Sequence, residues 1–214
     1  MRQFFDGIYS FFTSKRQKIL GIFRVVCWLL VVFLIIAFVL SRFNQTTPFF
    51  LFGLGNTFGT FSLLAYVTTL LPGIGDRLGV KNKILVLLKI YRREVGISMY
   101  FLALIHVTLE KLLIITSVKE LLTLLPFEIM GTLAILICFF LFITSNTVSM
   151  VWLKLNWYRI HRLTYIGMFF IFLHVALVKL SIWTLLMGFV LMLQLISLIV
   201  IYRRTDSFTG GRPI

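Results

Sequence analysis

Long apolar runs separated by short polar and basic clusters make up most of the chain. An α-helix rises about 1.5 Å per residue and the hydrocarbon core of a bilayer is about 30 Å thick, so a spanning helix needs roughly 20 apolar residues. Six runs approach or reach this length, at residues 25–41, 48–71, 95–116, 126–146, 157–178 and 181–202. The pattern predicts an all-α membrane bundle of six transmembrane helices over residues 25–202, with no separate soluble domain.

The segment before the first run, residues 1–24, has a different pattern. Its apolar side chains recur at positions i, i+1, i+4, i+7 and i+8, which places them on one face of a helix. A helix of this kind lies in the membrane interface, so we expect an amphipathic cytoplasmic segment that anchors the chain and carries no chemistry. The residues of this stripe are Phe4, Phe5, Ile8, Phe11 and Phe12.

Composition and charge agree with a membrane protein. The chain is 60% hydrophobic and 13% charged, and its mean hydropathy is +1.02. Its net charge of +14 does not indicate nucleic-acid binding, because the basic residues fall in short clusters between apolar runs. Of the 21 Lys and Arg residues, 17 lie in the N-terminus, the 2–3 and 4–5 connections and the C-terminus. The positive-inside rule therefore predicts that both termini, including a short tail at 203–214, are cytoplasmic. The four exceptions are Arg42, Lys111, Lys119 and Lys179.

Two other features suggest little chemistry. Cys27 and Cys138 are isolated within apolar runs, so we expect reduced, packed thiols. The stretch PGIGDRLG after the second run contains closely spaced glycines, but no strand precedes it. We interpret it as an ordinary Pro/Gly turn and not as a phosphate-binding loop.

Two of the three histidines lie at matching depths. His106 lies thirteen residues beyond Arg93, and His174 lies twelve residues beyond Arg162, on runs that cross the membrane in the same direction. An imidazole in hydrocarbon needs a hydrogen bond, a metal or a water-filled cavity. A pair at equal depth on two helices is the arrangement that clamps one heme iron from both faces. A structural or proton-relay role, or another metal such as zinc or copper, remains an alternative.

The third histidine, His161, lies at the opposite end of the fifth run, about 20 Å along the axis from His174. Thirteen residues at 100° each also leave the two side chains about 140° apart on an ideal helix, so a bend or different partners are expected. Three roles stay open for it: binding a second heme, binding a flavin or quinone, or capping the membrane interface.

The stretch RREVGISMYFLALIHVTLE, followed by ITSNTVSMVWLKLNWYRIHRLTYIGMFFIFLHVALVK, resembles the ferric-reductase-like transmembrane domain family. Within that family it is most similar to the MsrQ heme-binding subunits of the methionine sulfoxide reductase system. The most specific elements are Arg92, Arg93 and Gly96 before His106, Thr144 and Ser145, and the series Trp157, His161, Arg162, Tyr165 and His174. A Trp usual shortly after the last histidine is absent, and Val175 to Leu177 stand there instead.

The resemblance implies a b-type cytochrome subunit of the bacterial inner membrane, part of an oxidoreductase system. It implies that His106 and His174 bind heme b and that His161 contributes to an inner cofactor site, giving one or two hemes and a place for FMN or quinone. Arg92, Arg93 and Arg162 are the cationic candidates for binding cofactor acids. Electrons are expected to come from a quinol or a flavin reductase on the cytoplasmic side and to reach an extracytoplasmic acceptor, such as a periplasmic molybdenum-cofactor reductase. The alternatives are a transmembrane component of a ferric or other metal reductase, and a non-redox membrane scaffold or transporter.

Overall fold

The computed structural model describes residues 2–43, 49–112 and 123–209, and over these ranges the chain is helical with no strand. The elements are α1 (Arg2–Ser14), α2 (Arg16–Phe43), α3 (Phe49–Leu78), α4 (Lys83–Val107), a π-helical turn (Thr108–Leu112), α5 (Pro126–Ile143), α6 (Thr147–Leu153), α7 (Leu155–His161), α8 (Leu163–Val178) and α9 (Ile182–Thr209). The all-α prediction is confirmed. Part of the third predicted span and the end of the tail lie outside the described residues.

Five helical segments are long and apolar enough to cross a membrane: Arg16–Ile36, Gly53–Leu78, Pro126–Ile143, Leu155–Val178 and Ile182–Arg204. The chain therefore has the features of a multi-pass membrane protein. The predicted span at 95–116 corresponds to the second half of α4 and the π-helical turn, and α4 is not among the five. Charged side chains at residues 92–94 interrupt its apolar run.

Two antiparallel helix pairs position the histidines. In the first, α3 packs along α4: the Ser62 hydroxyl donates to the carbonyl of Met99 at 3.1 Å. In the second, α5 packs along α8, where Ile137 lies against Gly167. Small residues at these contacts let the backbones approach closely, as is common between helices in membranes. The pairs meet through Tyr66 of α3, whose hydroxyl donates to the carbonyl of Thr164 on α8 at 2.6 Å.

The centre of the bundle is apolar, and most of the large exposed side chains are apolar as well. Tyr66, Met168 and Met187 are almost completely buried, whereas Trp28 and Leu185 are each 70% exposed. A soluble protein does not present this much large apolar surface, and a lipid-facing surface does. Cys138 is buried and Cys27 half-buried, and both are free, as predicted.

The N-terminal segment forms a helix, as its stripe predicts, but residues 1–24 do not form one element. The helical structure is interrupted at Lys15, and α2 continues without a break from Arg16 into the first apolar run. The helix α1 also packs on α4, where the Tyr91 hydroxyl donates to the carbonyl of Phe12 at 2.8 Å. The first spanning helix therefore begins nine residues before the predicted boundary at Val25.

The predicted turn in PGIGDRLG, residues 72–79, is wrong for all but its last residue. Helix α3 continues through Pro72 and ends at Leu78, and the chain turns at Gly79, whose φ of +76° belongs to the left-handed region. Pro72 is fully buried, and the side chain of Leu85 on α4 fills the space beside Gly75. Packing on α4 thus keeps this segment helical despite the lost backbone donor of proline.

Candidate functional site

The structure brings His106 of α4 and His174 of α8 together, and we call these two residues the histidine pair. Their ring centres are 6.2 Å apart and their ring planes are inclined by 70°. Both side chains are half-buried. Counting from the charged boundaries predicted that the two histidines lie at the same depth. In the fold they do, and their rings are neighbours, because α4 and α8 run in the same direction.

Each ring of the pair is oriented by a backbone carbonyl on a different neighbouring helix. His106 Nδ1 lies 2.9 Å from the carbonyl oxygen of Gly55 on α3, and His174 Nδ1 lies 2.8 Å from that of Phe127 on α5. A carbonyl oxygen only accepts hydrogen bonds, so in both rings Nδ1 carries the proton. The neutral ring then has its lone pair on Nε2, the nitrogen that is free to bind a metal.

The two carbonyl contacts share a second feature, a glycine one helical turn further along. A Cβ added at Gly59 would lie 2.9 Å from His106 Nδ1, and one added at Gly131 would lie 2.8 Å from His174 Nδ1. In each helix this glycine stands four residues after the accepting carbonyl, so its missing side chain opens the path from the ring to that oxygen. Our reading of the sequence missed these residues. The signal was present as glycines in two apolar helices, at the level of the two histidines.

The spacing of the pair fits a single metal ion between the two rings. With a metal–nitrogen distance of about 2.0–2.1 Å, two imidazoles on opposite sides of one ion have ring centres about 6.4 Å apart. The observed 6.2 Å is close to this value. Within the described ranges, no three His, Cys, Asp or Glu side chains are grouped to hold an ion. The donor set is thus two neutral imidazoles, which suits heme iron better than the three- or four-ligand sites of zinc.

His161 has different surroundings. Its Nε2 lies 3.3 Å from the hydroxyl oxygen of Thr144, and its ring stacks on Trp157 with ring centres 4.0 Å apart. The Thr144 hydroxyl donates its own proton to the carbonyl of Phe140 at 2.7 Å, so it accepts from His161. In neutral His161 the proton is therefore on Nε2 and the lone pair on Nδ1. This is the opposite tautomer from that of the histidine pair.

A one-residue interruption at Arg162 separates α7, which carries His161, from α8, which carries His174. The Arg162 backbone N–H contacts both the Tyr158 and Arg159 carbonyls at 3.2 Å, which tightens this turn. The two histidines thus lie on successive helices with different partners, in agreement with the expected bend.

The structure does not gather the three candidate arginines into one group. Arg92 is close enough to His161 for its charge to act on that imidazole. Arg93 forms an ion pair with Glu94, with an N–O distance of 3.1 Å. Arg162 is exposed and, within the described part of the chain, makes no side-chain hydrogen bond or ion pair. Arg92 is thus the one candidate arginine whose position links it to a histidine.

Another arginine, Arg77 at the end of α3, was not singled out from the sequence. Its guanidinium donates to the Ser197 hydroxyl at 2.9 Å, the Gln194 amide oxygen at 2.7 Å and the Tyr165 hydroxyl at 3.2 Å. These contacts tie α3 to α8 and α9 at the His161 end of the bundle. In the sequence Arg77 was one of several basic residues in a predicted connection, and no local pattern distinguished it from a solvated charge.

The chain was compared with models of protein families, with curated proteins and with solved structures, and it matches none of them. The resemblance to the ferric-reductase-like family therefore rests on the residues quoted above and on the chemistry of the site.

Proposed function

We propose that this chain is a membrane b-type cytochrome subunit that binds one heme between His106 and His174 and passes electrons across the bilayer. The proposal rests on one observation, that the two rings have the same protonation and hydrogen-bonding pattern. Each donates Nδ1–H to a carbonyl, at 2.9 Å for His106 and 2.8 Å for His174, and presents an Nε2 lone pair. A metal-binding histidine characteristically donates its other N–H in this way, which fixes the tautomer and the ring orientation.

The heme, when bound, supplies a one-electron redox centre, and the protein supplies its position and its dry surroundings. Ile105 and Leu109, on either side of His106 in the chain, are 0% and 1% exposed. The Phe127 ring lies 6.2 Å from the ring of His174. Ile105 and Leu109 pack against apolar side chains of α2 and α3 at this level of the bundle. Apolar surroundings lower the dielectric, which is one of the means by which a protein sets a heme potential.

The proposal includes a six-helix arrangement with both termini on the cytoplasmic side of a bacterial inner membrane. The asymmetric distribution of Lys and Arg supports this orientation. It places the histidine pair toward the outer face and His161 toward the inner face. Electrons then enter from a quinol or flavin donor at the inner side and leave at the outer side to an acceptor such as a methionine sulfoxide reductase catalytic subunit.

At the inner side we propose that His161 does not bind heme iron. Its Nε2 is engaged by Thr144 and its ring is covered on one face by Trp157. A contact to an inner cofactor through Nδ1, with Arg92 nearby, fits these surroundings better than the second heme that was one of the three open roles of His161. Heme b at the pair is then the single heme of the chain.

The test is the absorption spectrum of the purified full-length protein, together with the amount of heme per chain. We expect one low-spin heme per chain with a Soret band that shifts on reduction by dithionite. His106→Ala and His174→Ala should each abolish that heme, because one remaining imidazole cannot supply both axial ligands. His161→Ala is the matched control and should retain it. A full low-spin spectrum in both pair variants, or a colourless wild-type protein, would overturn the proposal.

A further inference from the structure

The short helix α6 and the first residues of α7 carry large apolar side chains that remain exposed in the bundle. Val148, Val151 and Trp152 have the spacing i, i+3 and i+4, which places them on one face of α6, and they are 68%, 62% and 83% exposed. Leu155 and Tyr158, at the start of α7, are 76% and 61% exposed. No residue of α6 is buried, and its main packing partner among the described helices is α7. We call these five side chains the α6–α7 patch.

The patch lies where the hydrocarbon core ends, at the level of His161. Helix α5 has 18 residues, and its length of about 27 Å nearly crosses a core of about 30 Å. The carbonyl of Phe127 at its start contacts His174, whereas Thr144, directly after its end, contacts His161. Helix α6 begins three residues after Thr144 and is about 10 Å long, too short to cross the membrane again. It therefore lies at the boundary between hydrocarbon and headgroups.

Basic residues adjoin the patch and have no protein carboxylate to pair with. Lys154 lies between α6 and α7, and Arg159 and Arg162 follow Tyr158; all three are exposed. The sequence has no Asp or Glu from 129 to 205, and none of the three cations forms an ion pair with a described residue. A helix with an apolar face and unpaired cations is typical of the membrane interface, where the phosphates of anionic lipids neutralise the cations.

The backbone between the two helices is strained. Lys154 has a φ of +47° and a ψ of −118°, a conformation that side chains other than glycine rarely adopt. Strain of this kind persists only where the surrounding structure holds the residue in place. A membrane surface that binds the patch on both sides of Lys154 supplies this support, which the sparse packing of α6 on the bundle does not.

We infer that the α6–α7 patch is a binding site for anionic phospholipids in the leaflet on the His161 side of the membrane. Its five side chains lie among the upper parts of the acyl chains, a depth at which Trp and Tyr are enriched. Lys154 and Arg159 bind the phosphates. Exposed apolar side chains continue along α8, at Ile166 and Phe169, so the patch is the inner end of a lipid-facing surface. This continuity favours a lipid over a protein partner that approaches from water.

The depth of the patch is measured with a bimane fluorophore at Val151→Cys, on a Cys27→Ala, Cys138→Ala background. The full-length protein is placed in phosphatidylcholine vesicles that contain a lipid with a nitroxide quencher at acyl carbon 5 or carbon 12. We expect carbon 5 to quench about twofold more strongly than carbon 12, because an interfacial helix lies near the headgroups. Met150→Cys is the matched control. Met150 is 46% exposed but lies on the face of α6 away from Val148 and Trp152, so both lipids should quench its label weakly.

Selectivity is measured with the same Val151 label and nitroxide lipids that differ only in the headgroup. Phosphatidylglycerol should reach half-maximal quenching at an about fivefold lower concentration than phosphatidylcholine, since each basic residue near the surface favours anionic lipid by about this factor. Lys154→Gln with Arg159→Gln should bring the two lipids to within about twofold of each other. Lys179→Gln removes one charge at the opposite end of α8 and should retain the preference.

Each part of the inference can fail separately. Equal quenching of the Val151 and Met150 labels, or stronger quenching from carbon 12, would overturn the placement of the patch in the membrane interface. Equal quenching by phosphatidylglycerol and phosphatidylcholine, or the same loss of preference in Lys179→Gln, would overturn the anionic selectivity. None of these measurements depends on heme, so the function proposed above is tested independently.

Discussion

The histidine pair and His161 differ in which ring nitrogen the fold engages. His106 and His174 hydrogen-bond through Nδ1 to backbone carbonyls, whereas His161 uses Nε2 toward the Thr144 hydroxyl and stacks on Trp157. The difference shows that the group that contacts each ring decides which nitrogen keeps its lone pair, Nε2 in the histidine pair and Nδ1 in His161.

The largest expected effect comes from closing the path between a pair histidine and its carbonyl. Gly131→Val places side-chain atoms where the His174 ring lies, since even a Cβ there would be 2.8 Å from Nδ1. We expect this variant to lose the orientation of the ring and to bind heme about 10–100-fold more weakly. Gly59→Val should act in the same way on His106. The measurement is heme per chain after purification and titration of the apoprotein with hemin.

The control for the glycine variants is Gly53→Ala. Gly53 is also on α3, and an added Cβ there has no neighbour within 4 Å. It should bind heme as the wild type does. Equal heme loss in Gly53→Ala and Gly59→Val would mean that helix propensity, and not access to the carbonyl, explains the effect.

A second test asks whether the histidine pair and His161 lie near opposite faces of the membrane. Val80 is 52% exposed and lies near the end of the bundle that carries His161. Leu125 is 54% exposed and lies near the end that carries the histidine pair. On a Cys27→Ala, Cys138→Ala background, Val80→Cys and Leu125→Cys should react with an impermeant maleimide from opposite sides, each about tenfold faster from its own side. Labelling of intact cells and inverted vesicles gives the rates. Reaction of both from the same side would contradict the proposed topology.

The smallest effect is expected at Thr144. Thr144→Val removes the acceptor for His161 Nε2–H and should cost about 1 kcal/mol in stability, the usual net contribution of one hydrogen bond. It should also let His161 populate both tautomers, which nitrogen-15 chemical shifts of the imidazole report. Thr144→Ser retains the hydroxyl and should behave as the wild type. An unchanged tautomer in Thr144→Val would show that Trp157 packing alone holds the ring.

Several parts of the fold and the site were predictable because they depend on length and charge. The spans at 126–146, 157–178 and 181–202 were located within a few residues, except that α9 continues to Thr209, since an apolar run of that length has few alternatives to a helix. The equal depth of His106 and His174 followed from counting to the charged boundaries on parallel helices. The continuation of α3 through Pro72 was not predictable, because its stabilising contact comes from Leu85 on another helix.

The sequence by itself determined that the chain is helical, apolar enough for a membrane and equipped with two histidines at one level. These properties follow from the number and order of apolar and basic residues, which act through the bilayer and need no partner. Only the tertiary structure decided that Gly55 and Phe127 supply the carbonyls, that Gly59 and Gly131 open the way to them and that Thr144 engages His161. Each of these contacts joins residues on different helices. Their hydrogen bonds depend on distances of a few tenths of an ångström, which helix packing sets and a one-dimensional pattern does not contain.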